Sequence, residues 1–291
     1  MALHDLETLL LAVLNDESLP IQRNNGSQVL SRTRSPSTLN RIAILGFSSG
    51  GNLALGVTQL PSIRAHPNTP TAVLSVYGYL DLSVPPKEKL TNRPWKPSLP
   101  APRGGKSKID AFASAAPTFD WSYIPYGHDL QDPLLSPGPY AKREMLPPYI
   151  GLIAAELDIL AHESWRMACR LSNEGQGVHP AYGNAKRVVP DRKSEDPKWR
   201  ICGREEVAAK SGVLDDSGDE RFAFEDSWGT DARGGVKWLL VPDVQHGFDN
   251  AEMRRMYGLQ EGEAVKDAEA KTEAYRTEVG KWLKETVWRL S

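Results

Sequence analysis

Between Arg41 and Gly56 the chain reads RIAILGFSSGGNLALG. Arg41 to Leu45 have the composition of a short buried strand, and an apolar helical pattern restarts at Leu53, Ala54 and Leu55 with no loop between. The junction is Gly46-Phe47-Ser48-Ser49-Gly50, the Gly-x-Ser-x-Gly spacing of a nucleophile elbow. Such a turn strains the serine backbone and aims the Ser48 hydroxyl outward. Gly46 and Gly50 are expected to lack side chains because neighbouring backbone passes close to both. The following helix would bring its positive end beside the serine, with the backbone N–H of Ser49 directed at a developing oxyanion. An isolated Gly-x-Ser-x-Gly also fits an ordinary turn; the strand before it and the helix after it favour the elbow.

A serine hydroxyl is a weak nucleophile until a base takes its proton, and the base needs an orienting carboxylate. On a strand–elbow–helix scaffold these follow in the order Ser, Asp or Glu, His, at the ends of later strands. Asp158, in IAAELDIL, lies where a strand gives way to a loop. Glu156 is the rival acid; strand alternation puts both on one face, and Asp158 is preferred as nearer the strand end. Its competing role is capping a helix that starts near Ala161. His246, in DVQHGFDN, follows the run KWLLV and precedes a turn-permitting Gly247. The other five of the six histidines fall before the first strand, in a proline-rich turn, in insertions or at a helix start. Serine acyl transfer is therefore the expected chemistry.

Other chemistries find little support. No His-Glu-x-x-His or paired Cys-x-x-Cys spacing suggests a metal. Gly104 to Ser107 resembles the end of a P-loop, but Pro100 replaces its first glycine and no strand precedes it. A dinucleotide fingerprint is missing too. The formal net charge of −2 gives no electrostatic basis for nucleic acid. Cys169 and Cys202 read as free thiols in a reducing, cytoplasmic compartment, with Cys169 in a helix core. No apolar run reaches the roughly 20 residues of a membrane span. Asn25-Gly26-Ser27 matches a glycosylation acceptor, of little weight without secretion.

The elements that must position these residues alternate. An amphipathic N-terminal helix carries Leu3, Leu6, Leu10, Val13 and Leu14 on one face. Strands follow at Ile42–Leu45 and Ala72–Val76, within PPYIGLIAAELDIL and within GGVKWLLVPDVQHGF, with helical patterns between them. The last helix presents Ala268, Tyr275, Val279, Trp282, Leu283 and Val287 together. This is an α/β pattern with a mostly parallel sheet, read as a single domain over 1–291. Two stretches break the rhythm. Ser83 to Gln131 is rich in proline and aromatics and reads as a lid-like insertion, with Trp121, Tyr123 and Tyr126, together with Phe47, as candidate substrate contacts. Asn184 to Arg233 is strongly charged and reads as a solvated surface insertion.

The segment RIAILGFSSGGNLAL resembles the nucleophile segment of the hormone-sensitive-lipase-like esterases, the fold-3 branch of the α/β-hydrolases. DPLLSP (Asp132–Pro137), AAELDIL and QHGF are similar to further family segments, so the resemblance extends over about residues 2–250 with interruptions. It implies an α/β-hydrolase-type sheet, carboxylic-ester hydrolysis without a cofactor, and Ser48, Asp158 and His246 as the triad. A lactonase or thioesterase would use the same triad. Phe47 and Ser49 replace the family's usual Asp and Ala. No His-Gly-Gly-Gly oxyanion segment precedes Ser48, and the resemblance implies that the family's first four strands are missing. Arg41 to Gly46 would then form an apolar sheet edge open to a second copy of the chain. Three accounts remain at this stage: an incomplete reading of a longer gene, a shortened protein that dimerises through that edge, or a non-catalytic relative that binds without turnover.

Overall fold

In the computed structural model the described residues are 2–19, 41–91, 111–175, 223–228 and 233–290. Their centre is a five-stranded sheet: β1 (Ala43–Phe47), β2 (Ala72–Val76), β3 (Tyr149–Ala155), β4 (Ala223–Trp228) and β5 (Gly234–Val241), in the order β1-β2-β3-β5-β4. The first three pairings are parallel and β4 joins β5 antiparallel. β2, β3 and β5 are buried along their whole length, as expected of parallel strands covered on both faces. The expected mostly parallel α/β sheet is therefore present.

Helices cover both faces. On one, α2 (Ser49–Gln59) and α7 (Ala161–Gly175) contribute Leu55, Met167 and Leu171, which meet Ile150, Leu152 and Trp238 of the sheet. On the other, α9 (Glu263–Trp282) and the π-turn Leu283–Val287 bury Tyr275, Val279, Trp282 and Val287 against Leu74, Tyr149, Ile153 and Leu239. The face expected of the last helix is the one observed, with Leu283 half-buried beside it. At the N-terminus, α1 (Ala2–Asn15) buries Leu14 with Val57 and Ile63, and Leu3, Leu6, Leu10 and Leu11 pack around them. Val13, expected on that face, is exposed and Leu11 takes its place.

One difference from the sequence expectation concerns the sheet. β4 lies inside the stretch read as a charged surface insertion. Its alternation places Phe224 and Trp228 on the core side and Glu225 outward, where Lys237 lies 3.6 Å from the carboxylate. Glu225 lies on the outer face of an edge strand, and Asp226, on the side of Phe224 and Trp228, accepts from the Ser172 hydroxyl of α7, so composition alone hid the strand. The rest of the stretch, residues 184–222 and 229–232, lies outside the described residues, as do Cys202 and Asn25. At the opposite edge β1 pairs only with β2 among the described residues, as expected, and Leu45 and Phe47 are 44% and 41% exposed. No helix among the described residues is long and apolar enough to cross a membrane.

The described part of the aromatic insertion is two helices, α4 (Pro86–Thr91) and α5 (Ala111–Tyr123). A buried ionic group fastens α4 to the sheet. Lys89 Nζ donates to Glu163 of α7 and to the Asp81 carbonyl (2.5 Å), and lies 3.9 Å from the centre of the Tyr79 ring. Glu163 Oε1 accepts from the Leu80 N–H at 2.6 Å. Burial pushes the Glu163 carboxyl up to about 7 against the pull of Lys89. A group of this kind gains little over an apolar core but is costly to break from one side. Lys89→Met is expected to cost about 3–5 kcal/mol at pH 8. At pH 5 the loss should be smaller, because an acid raised in the folded state takes up a proton on folding and buries no charge. Urea denaturation at the two pH values checks this; equal losses would show that the carboxyl carries no buried charge at either.

Candidate active site

Ser48 stands between β1 and α2 with φ 52° and ψ −123°, a left-handed backbone that a non-glycine residue adopts only under constraint. The constraint is the absence of a loop. Ser48 N–H donates to the Val76 carbonyl of β2 (3.0 Å) while its own carbonyl accepts from Gly51 N–H (2.9 Å), so one residue closes the sheet and opens the helix. Gly46 is required because a Cβ there would lie 2.0 Å from the Gly50 carbonyl oxygen. The same expectation fails at Gly50, where a Cβ would meet nothing within 4 Å. The crowding falls one residue later: a Cβ on Gly51 would come within 2.4 Å of Ser75 Oγ. The helix begins at Ser49, so Gly50 already faces away from the sheet while Gly51 faces β2.

The structure brings Ser48, His246 and Asp158 together at the C-terminal ends of β1, β5 and β3. Ser48 Oγ is 2.9 Å from His246 Nε2, and His246 Nδ1 is 2.7 Å from Asp158 Oδ2. His246 is 3% exposed and Asp158 1%, so the contact between them is dry, whereas Ser48 is half-buried. The rival acid points elsewhere: Glu156 Oε2 accepts from the Asp243 N–H at 2.7 Å and anchors the start of the histidine loop. β3 ends at Ala155, so both acids sit in a turn where strand alternation no longer applies, and the turn sends them in different directions. The helix-capping role weighed for Asp158 is also present, on its other oxygen: Oδ1 accepts from the Leu160 N–H at 2.9 Å just ahead of α7. The carboxylate is thus held on both oxygens.

The histidine loop is built to hold one ring. Gly247 follows in the left-handed region at φ 69°, and the Tyr257 hydroxyl donates to the His246 carbonyl at 2.7 Å. Phe112 of α5 stacks on the imidazole with centroids 4.4 Å apart and planes 15° from parallel, and Tyr77 meets it edge-on at 4.9 Å. Tyr77, itself at φ 41°, donates to Asp249 Oδ1 (2.5 Å), and Tyr275 donates to the other oxygen of the same carboxylate. Burial, then the bond to Asp249, pushes the Tyr77 hydroxyl far above the ordinary phenol range, so it stays a donor. Sequence reasoning did not single out Tyr77, Asp249 or Phe112. The only signal for Phe112 was the aromatic content of its insertion.

The remaining expected site residues separate. Phe47 stands beside the serine, exposed, its ring 6.0 Å from Tyr77. Ser49 N–H, at the first turn of α2, donates to no backbone carbonyl among the described residues. Tyr123 turns inward: its hydroxyl donates to Asn52 Oδ1 at 2.8 Å, and Asn52 in turn donates to the carbonyls of Tyr79 and Leu135, both at 2.7 Å. Burial pushes the Tyr123 hydroxyl up to about 12. Trp121 and Tyr126 stand out into solvent: Trp121 is 84% exposed and Tyr126 fully so. On α5 the core-facing positions go to Phe112, Ala116, Phe119 and Tyr123, which turns Trp121 outward, and Tyr126 lies past the helix end. No cluster of three His, Cys, Asp or Glu side chains suited to a metal occurs among the described residues.

A family model for the α/β-hydrolase fold matches residues 16–185. Among solved structures, the chain is similar to brefeldin A esterase, a bacterial homologue of human hormone-sensitive lipase, at 18% identity over 85% of this chain and 47% of that one, with a TM-score of 0.44. It is similar to carboxyl esterase 2 of the mycorrhizal fungus Tuber melanosporum, at 15% identity over 85% of this chain and 54% of that one (TM-score 0.44). It is also similar to a hormone-sensitive lipase from a metagenome library, at 17% identity over 87% of this chain and 55% of that one (TM-score 0.44). The chain thus spans about half the length of the structures it matches. No curated protein matches it.

The elbow geometry separates its two outer glycines. Gly46→Ala is expected to lower stability by about 3 kcal/mol, the upper end of overpacking costs. Gly50→Ala should leave stability unchanged or raise it by about 0.5–1 kcal/mol, the helix gain over glycine. Equal losses in chemical denaturation of the two variants would contradict the placement of the turn.

Proposed function

The chain belongs to the α/β-hydrolase fold family, and on that premise we propose that it is a carboxylic-ester hydrolase with Ser48 as nucleophile, His246 as general base and Asp158 as the orienting acid. One observation carries the proposal. Two hydrogen bonds of 2.9 and 2.7 Å join residues 198 and 88 positions apart in the chain into one hydrogen-bonded series. Residues so distant in sequence meet in this order because three parallel strands deliver their loops to one edge of the sheet.

In this reading Ser48 Oγ attacks the ester carbonyl carbon as its proton passes to His246 Nε2. The carbonyl π pair moves onto oxygen, facing the Ser49 N–H and the N-terminal end of α2. Collapse of the tetrahedral species breaks the acyl–oxygen bond, and the imidazolium returns its proton to the leaving alcohol. Water then repeats the sequence on the acyl-enzyme, and the carboxylic acid departs. Asp158 holds the Nδ1–H tautomer and stabilises the imidazolium without taking its proton. Phe47 is the side chain best placed to flank the entering ester. Each oxyanion donor is worth roughly 10²–10³ in rate, and the Ser49 N–H is the donor that the elbow itself supplies.

A fluorophosphonate probe is expected to label the protein once, at Ser48, with labelling lost in Ser48→Ala. Asp158→Asn should slow p-nitrophenyl ester hydrolysis by about 10⁴, since the wrong histidine tautomer is then favoured. Hydrolysis no faster in the wild type than in Ser48→Ala would overturn the proposal in favour of a binding protein that keeps the side chains without the turnover. A panel of lactones and thioesters read alongside separates these from simple esters.

A further inference from the structure

The two edges of the His246 ring are taken by Ser48 and Asp158, but hydrogen bonds at its edges leave its faces unrestrained. Two elements bring aromatic rings against it. Phe112 arrives from the insertion and stacks at 4.4 Å, while Tyr77, at the exit of β2, stands edge-on at 4.9 Å. Neither ring is loose. Phe112 packs within 6.1 Å of both Tyr79 and Phe119, in a cluster that includes Ala116, Leu135 and Leu160. Tyr77 is tethered through Asp249, which Tyr275 also holds.

This closure matters unequally along the reaction. In the resting protein the ring has two hydrogen bonds. Once Ser48 is acylated, its oxygen carries the acyl group and no longer offers a proton, so the imidazole loses that bond while the one to Asp158 stays. A ring that has lost a bond at Nε2 can swing that atom away from the water it must deprotonate. The stacked face of Phe112, with the Tyr77 ring packed beside the imidazole, resists that swing, and the Phe112 face favours the imidazolium.

Resting on the hydrolase reading above, we propose that Phe112 and Tyr77 are positioning residues that clamp the His246 ring, and that the clamp serves deacylation more than acylation. Helix α5, which supplies Phe112, is accordingly part of the site's working wall and not a remote cover.

The test is pre-steady-state hydrolysis of p-nitrophenyl acetate together with fluorophosphonate labelling, in the wild type, Phe112→Leu and Phe112→Tyr. Leucine keeps the apolar bulk and removes the ring. Expected for Phe112→Leu is labelling and acylation within about threefold of wild type, deacylation slowed about tenfold, and a burst of p-nitrophenol approaching one per protein. Phe112→Tyr should restore deacylation. A near-normal labelling rate also reports that the variant is folded. Equal falls in acylation and deacylation would mark a merely structural role, a rise in KM alone would mark a substrate wall, and an unchanged Phe112→Leu would mark neither; each overturns the clamp and leaves the hydrolase reading standing. A wild type that takes no label at Ser48 overturns both.

Discussion

The structure depends on one strained residue. Ser48 holds a left-handed backbone because β1 must become α2 without a loop, and that is possible only while Gly46 lets the Gly50 carbonyl pass where a side chain would stand. The strain is balanced by what surrounds it. The Ser48 N–H closes onto β2, its carbonyl begins α2, and α2 is buried along most of one face against the sheet. A hydroxyl on a relaxed loop would sample many directions. Here the backbone leaves it one, toward His246, so positional precision is established in folding and not at the moment of reaction.

The same economy governs the acid and the base. Asp158 and Glu156 lie two residues apart in one turn and do different work, one on the imidazole and the other on the backbone that launches the histidine loop. Asn52 receives the Tyr123 hydroxyl and spans to two carbonyls, so the elbow helix, the exit of β2 and α5 share one buried amide. The Lys89–Glu163 pair fixes the start of the insertion in the same region. Polar groups of this kind add little net stability, but they admit few alternative arrangements, and they lie around the helix whose Phe112 ring stacks on the imidazole.

What could be read from the sequence was what is local or ordered along it. The elbow is a run of five residues with a strand on one side and a helix on the other, and the order Ser, Asp, His follows from strand topology, so these three positions could be named before the structure. The limits were equally physical. Parity could not separate Asp158 from Glu156 because the strand had already ended. β4 escaped notice because an edge strand with one wet face carries the composition of a loop. Trp121 and Tyr126 attracted attention as large aromatics, yet the face of α5 toward the core belongs to residues spaced from Phe112, and nothing in the sequence says which face that is. Phe112 itself meets His246 only through the tertiary fold.

β1 is at once the strand that carries the serine and, among the described residues, a strand with one side unpaired and two large apolar side chains in view. Whatever lies along that side, whether solvent or another strand, touches the same five residues whose backbone sets up the turn. The exposed apolar edge and the footing of the serine are therefore drawn from one short segment, so a substitution at Leu45 or Phe47 bears on both.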